Sequence, residues 1–425
     1  MSSKITPIVS KAFLVPFILI TSLFFLWGVA NDLTNPMVSA FKKVMPELSN
    51  FQASLVQMAF YGGYATMALP AALFIKKYSY KNGVLVGLSL YAVGALLFYP
   101  AARYEEFTFF LLSLYILTFG LAFLETTSNP YILSMGDPRT ATQRLNLAQA
   151  FNPIGSLTGM LMAQILVIGN LRSDDYTDTE FAALSAEELA IISENDLGFI
   201  SYPYIGLGVV IICVLIAIKC IKIPRLQKQI DHSVSEILNI LWNNIRFKEG
   251  VVAQSFYVAA QIMCWTFIYQ YVDNINNHLP AGEEPLVATW YNIMAMILFL
   301  VGRWICTFMM RTIDGAKLML IFATGAVAFT TGAIVINGPV GLYCLVMVSF
   351  CMSLMFPTIY GIALKGMGDE AKLGSAFLVM AIVGGALLPP VQAKILDIGG
   401  EGFDDVLFFG FIPEINASFV LPLIS

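Results

Sequence analysis

Residues 108–134 read TFFLLSLYILTFGLAFLETTSNPYILS. The hydrocarbon core of a bilayer is about 30 Å thick, so a helix needs about 20 apolar residues to cross it. This run is longer than that and holds one ionisable side chain, Glu125. Comparable runs precede it at roughly 13–38, 52–75 and 84–101, and follow it at roughly 145–168 and 199–221. A second set lies at roughly 249–272, 287–311, 316–337, 339–366, 373–396 and 412–425. The pattern predicts an all-α polytopic membrane protein with 12 transmembrane helices, six on either side of a polar stretch. The last run has 14 residues and rises only about 21 Å as a helix, so the final helix reads as short or truncated.

Composition supports the same class. The chain of 425 residues is 58% hydrophobic and 12% charged, where a soluble domain carries about 25% charged residues. A large soluble core does not remove the need for surface charge, so lipid must replace water over much of this surface. No sustained basic face suggests nucleic acid as a partner. The six cysteines lie in or beside apolar runs without a CxxC pair, far from His232 and His278. They read as buried inert thiols rather than a disulfide frame or a metal site. No cofactor is expected. The apolar run that follows Met1–Lys11 is too long for a signal peptide and reads as the first span.

Lysine and arginine set the orientation. With the N-terminus inside, the inner loops hold Lys76, Lys77, Lys81, Arg139, Arg144, Arg311, Lys317, Lys365 and Lys372. The loop over 170–198 is acidic and falls outside. Both termini are then cytoplasmic, in a plasma (inner) membrane. Residues 222–248 form the longest inner polar segment and divide the chain into 1–221 and 249–425. Within that linker, Val234–Trp242 reads as a short amphipathic helix on the membrane face. The halves also echo each other. Asn129-Pro130 precedes Gly136-Asp137 and Arg144, as Phe356-Pro357 precedes Gly368-Asp369 and Lys372. A duplicated six-helix unit accounts for that parallel.

Ionisable groups inside spans are the first candidates for function, because each costs about 2.5–3.5 kcal/mol on insertion scales. They are Asp32, Glu125, Arg303 and Lys394. Asp32 shares a helical face with Asn35, and Glu125 with Ser128 and Asn129. Gln149 and Asn152 are similarly related in the fifth span. Gln254, Gln261 and Trp265 make a stripe in the seventh, flanked by Tyr257 and Tyr269. Amides beside an aromatic face suit a sugar: hydroxyls need donors and acceptors, and the C–H face of the ring needs a platform. A buried carboxyl held neutral by desolvation suits a proton carrier. Against these stand blander roles. An intramembrane amide can simply link helices, Asp32 can lie near the outer interface, and Trp265 can fill the core. Arg303 reads as pairing with a neighbouring helix, Lys394 as snorkelling outward, and Gly155-x-x-x-Gly159 as close helix packing.

Several strings resemble the fucose permease family, the fucose–galactose–glucose:proton symporter branch of the major facilitator superfamily. They are Ser22-Leu-Phe-Phe-Leu-Trp27-Gly-Val-Ala-Asn31, Asn50-Phe-Gln-Ala-Ser54, Phe60-Tyr-Gly-Gly-Tyr64 and Lys76-Lys-Tyr-Ser-Tyr-Lys81-Asn-Gly83. More specific are Leu124-Glu125-Thr-Thr-Ser-Asn129-Pro130 and Arg144-Leu-Asn-Leu-Ala-Gln149-Ala-Phe-Asn152. Ala260-Gln261-Ile-Met-Cys264-Trp265, Gly302-Arg303 and Gly374-Ser-Ala-Phe377 extend the match over nearly the whole chain. The resemblance implies a major facilitator fold of two six-helix bundles around a central cavity, with alternating access. It carries a functional glutamate onto Glu125 and a sugar-contacting asparagine onto Asn152. The family's first-span acid falls at Asn35, whereas the acid here is Asp32, so acid and amide look exchanged.

The resulting expectation is a secondary active transporter for a monosaccharide, L-fucose or a related hexose, by proton symport and acting as a monomer in the bilayer. Glu125 and Asp32 are the expected proton-coupling residues, and Asn35, Gln149, Asn152, Gln261 and Trp265 the expected sugar contacts. No Walker A motif is present, so ATP is not the energy source on this chain. Sodium coupling through Asp32, Asn35 and nearby carbonyls is the alternative within transport. A sugar sensor would carry a signalling domain, and a membrane enzyme a catalytic cluster such as HExxH. Neither is found in the sequence.

Overall fold

A computed structural model describes residues 7–34, 41, 44–45, 48, 50–176, 184–221, 233–280, 282–368, 370–396, 407–408, 410 and 412–425. Among these, eleven helices are long and apolar enough to cross a membrane. The first half holds Lys11–Thr34, Met58–Lys77, Tyr80–Tyr104, Phe107–Leu133, Pro138–Asn170 and Glu187–Cys220, here the first to sixth spans. The second half holds Ile245–Asn277, Ala288–Met309, Gly315–Val335, Pro339–Ala363 and Glu370–Leu396, the seventh to eleventh. The twelfth expected helix is the shorter apolar Glu414–Ile424. It starts later than the run at 412 suggests, because Ile412–Pro413 pairs antiparallel with Leu407–Phe408.

Helices are the only economical form for this sequence, since every backbone polar group in lipid must be satisfied within the protein. Their crossings depend on small residues. A Cβ added at Gly155 would overlap the Phe25 carbonyl, and one at Gly28 would overlap the Asn152 carbonyl. The first and fifth spans therefore touch backbone to backbone, the close packing expected of Gly155 and Gly159.

Several boundaries differ from those read in the sequence. The sixth helix begins at Ala186, not near 199. The charge of the acidic stretch suggests a loop, but a capping box satisfies the first turn: Ser185 accepts from the Glu188 amide, and Glu188 accepts from the Ser185 amide. The seventh helix begins at Ile245, inside the expected linker of 222–248, with Asn244 as its cap. Residues 222–232 of that linker lie outside the described residues. The short helix within it spans Val234–Asn243 and buries Ile237 and Leu241. Arg144 is a buried cap rather than a loop charge. Its guanidinium donates to the carbonyls of Ile132, Leu133 and Ile8, closing the end of the fourth span. The thiols divide: Cys264, Cys306 and Cys351 are buried, whereas Cys213 and Cys220 are exposed on the outer face of the sixth helix. Apolar surroundings in sequence do not separate a core-facing position from a lipid-facing one.

The two ends of the bundle are unequal. At the end that carries the linker, the halves merge into one apolar core in which Leu88 and Leu145 share a cluster with Phe247, Tyr360 and Leu373. Away from that end, the second half keeps a core of its own, drawn from residues between Tyr257 and Phe419. Side-chain hydrogen bonds between the halves follow the same division. Gln143 donates to the Thr307 carbonyl at 3.0 Å, Asn146 to the Thr358 hydroxyl at 3.2 Å, and Ser375 to the Thr126 carbonyl at 2.7 Å. The structure is thus closed at the linker end.

Candidate functional site

Above that closed floor lies a cavity between the halves, open to water-sized molecules over about 170 Å³. Asp32, Glu125, Gln149 and Asn152 line it from the first half; Gln261, Trp265 and Arg303 line it from the second. Of the expected site residues, all but one come together here. Asn35 lies outside the described residues. Gln254 and Tyr257 of the expected stripe are buried elsewhere, and Tyr269 is 41% exposed. Lys394 is exposed, as expected of a snorkelling side chain.

The local chain explains the placement. The fifth span is interrupted. One helix ends at Gln149, and the next starts at Asn152 with Pro153 in its first turn. Proline lacks an N–H, so the carbonyl four residues earlier, that of Gln149, has no donor in its own helix. Arg303 Nη1 supplies one at 3.1 Å. The tenth span is interrupted in the same way, between Met352 and Met355. Pro357 frees the Ser353 carbonyl, and Arg303 Nε donates to it at 2.6 Å. Interrupted helices at mid-membrane are where secondary transporters place their binding sites.

The polar groups on the first-half wall have different degrees of freedom. Gln149 Nε2 donates to Asn129 Oδ1 at 3.0 Å, and Asn152 Nδ2 to the Phe24 carbonyl at 3.2 Å. Each keeps its amide oxygen available to a ligand. Glu125 lines the cavity half-buried and makes no hydrogen bond to another described residue. Its charge state therefore depends on what enters the cavity. On the facing wall Trp265 is fixed by its Nε1–H, which donates to Ser349 Oγ at 3.0 Å, and by the edge of Phe299 at 5.2 Å. A pinned indole beside the Gln261 amide can present an apolar plane and a hydrogen-bonding group to one small ligand.

The sequence reading passed over part of the lining. Trp27, Asn31, Tyr61 and Tyr64 also face the cavity. Trp27 Nε1 and Asn31 Oδ1 are buried without a partner among the described residues, a donor and an acceptor four positions apart on one helical face. Spacing carried that signal: Phe24, Trp27 and Asn31 recur at three and four, as Val258, Gln261, Ile262 and Trp265 do in the seventh span. For Arg303 the sequence favours pairing with a neighbouring helix over contact with a ligand. It does pair, but it also forms part of the wall.

Three comparisons bear on the identity of this arrangement. The profile of the Major Facilitator Superfamily matches residues 12–390. The L-fucose-proton symporter of Haemophilus influenzae is 52% identical over 422 residues, which cover 98% of this chain and 95% of that protein. The L-fucose-proton symporter of Escherichia coli is 35% identical over 400 residues, covering 92% and 89%. A crystal structure of the E. coli fucose:proton symporter FucP in the outward conformation matches with a TM-score of 0.84 at 32% identity, over 97% of this chain and 98% of that one. The likeness spans both halves, and the chain belongs to the fucose permease family of membrane transporters within the major facilitator superfamily.

Proposed function

We propose that this chain carries L-fucose, or a closely related hexose, into the cell together with a proton. The observation that carries the reading is the cavity between the halves. It joins Glu125, a carboxyl without a hydrogen-bond partner among the described residues, to amides and an indole plane, Gln149, Asn152, Gln261 and Trp265. The relatives named as L-fucose-proton symporters give the sugar and the coupling ion. In this reading the units 1–221 and 249–425 rock about the site, which opens to one side at a time. The protein works as a monomer in the inner membrane with both termini cytoplasmic, so the closed linker end is the cytoplasmic one. Glu125 takes up the proton, and Asp32 serves as the second acid in place of the one the family has at the Asn35 position.

The test is uptake of labelled sugars into right-side-out vesicles under an imposed pH gradient or an imposed sodium gradient. Accumulation of L-fucose that needs the pH gradient and ignores sodium is expected. Accumulation driven by sodium alone would overturn the coupling assignment. Preference for glucose or galactose over L-fucose would overturn the sugar.

A further inference from the structure

Arg303 is 3% exposed in the middle of a membrane span, and among the described residues no carboxylate pairs with it. A buried guanidinium needs acceptors, and this one is held by two carbonyls that prolines have set free. Pro357 releases the Ser353 carbonyl in its own half, which receives Nε, while the ring of Phe299 supports the guanidinium carbon at 4.5 Å. Pro153 releases the Gln149 carbonyl in the other half, which receives Nη1. The same device occurs a third time. Pro130 releases the Thr126 carbonyl in the first half, and Ser375 of the second half donates to it at 2.7 Å. Carbonyls freed within a helix cost nothing extra to hand over to another helix, and they need an alternative partner when that helix moves away. Water in an opened passage is such a partner.

We propose that Arg303 is a positioning residue that clasps the two halves across the wall of the cavity through the proline-freed Gln149 carbonyl, and that this clasp releases whenever the site opens toward the linker end. The proposal rests on the transport reading above. Because Gln149 also holds Asn129, one turn beyond Glu125, the clasp links the second-half wall to the helix that carries the carboxyl. The floor beneath it is built to be wetted. Gln254 is fully buried, and neither its Oε1 nor its Nε2 has a partner among the described residues. It lies on the face of the seventh span that continues through Val258 and Gln261 into the cavity lining, one turn nearer the linker end than Val258. An amide buried without partners is costly in the closed state, and opening of the floor relieves that cost.

Gln254→Cys is therefore the reporter, read as the rate of N-ethylmaleimide modification at that position by mass spectrometry of the purified full chain without sugar. Labelling is expected to be slow when Arg303 is present. Arg303→Lys retains the charge but cannot span both carbonyls, and should speed labelling by about tenfold, a decade of population shift. Pro153→Ala leaves Arg303 untouched and returns an N–H to the Gln149 carbonyl, so it should speed labelling in the same direction by less. Should Arg303→Lys fail to fold, Pro153→Ala decides alone. An unchanged labelling rate in folded Pro153→Ala protein overturns the clasp. Since the measurement uses no sugar, it is independent of the uptake test: wild-type protein that moves no sugar refutes the transport reading and leaves the labelling result standing.

Discussion

The two walls of the cavity handle their ionisable groups in opposite ways. On the first-half wall Glu125 has no hydrogen-bond partner among the described residues, and its neighbours Gln149 and Asn152 spend only their amide N–H groups on the protein. On the second-half wall Arg303 is tied to two carbonyls and a ring, and Trp265 is pinned through its indole N–H. Under the proposed function, Glu125 is left unsatisfied until something enters, whereas Arg303 and Trp265, which hold shape, are satisfied at once. Chemistry is thus concentrated on one wall and geometry on the other.

The strongest way to break that comparison is Glu125→Gln. This change should abolish accumulation of sugar against a gradient while leaving sugar exchange across the membrane, measured as counterflow in vesicles. A Glu125→Gln protein that still concentrates sugar under a pH gradient would place the proton elsewhere. Asp32→Asn should come next, with loss of active uptake. The double change Asp32→Asn with Asn35→Asp should restore part of it, because three residues move the carboxyl about 4.5 Å along the axis. Unimpaired, pH-dependent accumulation in the single variant would leave Glu125 as the only acid required.

On the second-half wall the expected effects fall on binding. Trp265→Ala removes the apolar plane and should weaken sugar binding about tenfold, ~1.4 kcal/mol, measured by calorimetry on purified protein. An unaltered affinity would relegate Trp265 to packing. Trp265→Phe keeps a plane but loses the bond to Ser349, and should cost less, toward the lower end of the roughly 0.5–1.5 kcal/mol of a neutral hydrogen bond. If Trp265→Phe proves as damaging as Trp265→Ala, the indole N–H rather than the plane is what matters on this wall.

Much of this was legible in the sequence because the bilayer imposes a simple rule. A long apolar run has only one economical conformation in lipid, so the spans at 108–134 or 287–311 were recovered within a few residues. The expense of charge in a membrane likewise singled out Glu125, Asp32 and Arg303. Charge was misleading at the ends of helices. It made a loop of Ala186–Asp196, which a capping box holds in a helix, and an inner-loop cation of Arg144, which is a buried cap.

By itself, then, the sequence determined how many times the chain meets the membrane and which costly residues it retains there. Each of those is a local property of about 20 residues set against the thickness of the hydrocarbon core. Only the tertiary structure decided which of those residues share a cavity, that Gln254 is buried without a partner among the described residues, and that the halves are joined at the linker end. It also decided what Arg303 is for. Its acceptors, the carbonyls of Gln149 and Ser353, lie 154 and 50 residues away along the chain. They are available only because Pro153 and Pro357 removed the donors that would otherwise have used them. The prolines can be read one at a time in the sequence, but the side chain that answers both is specified by the packing of three helices.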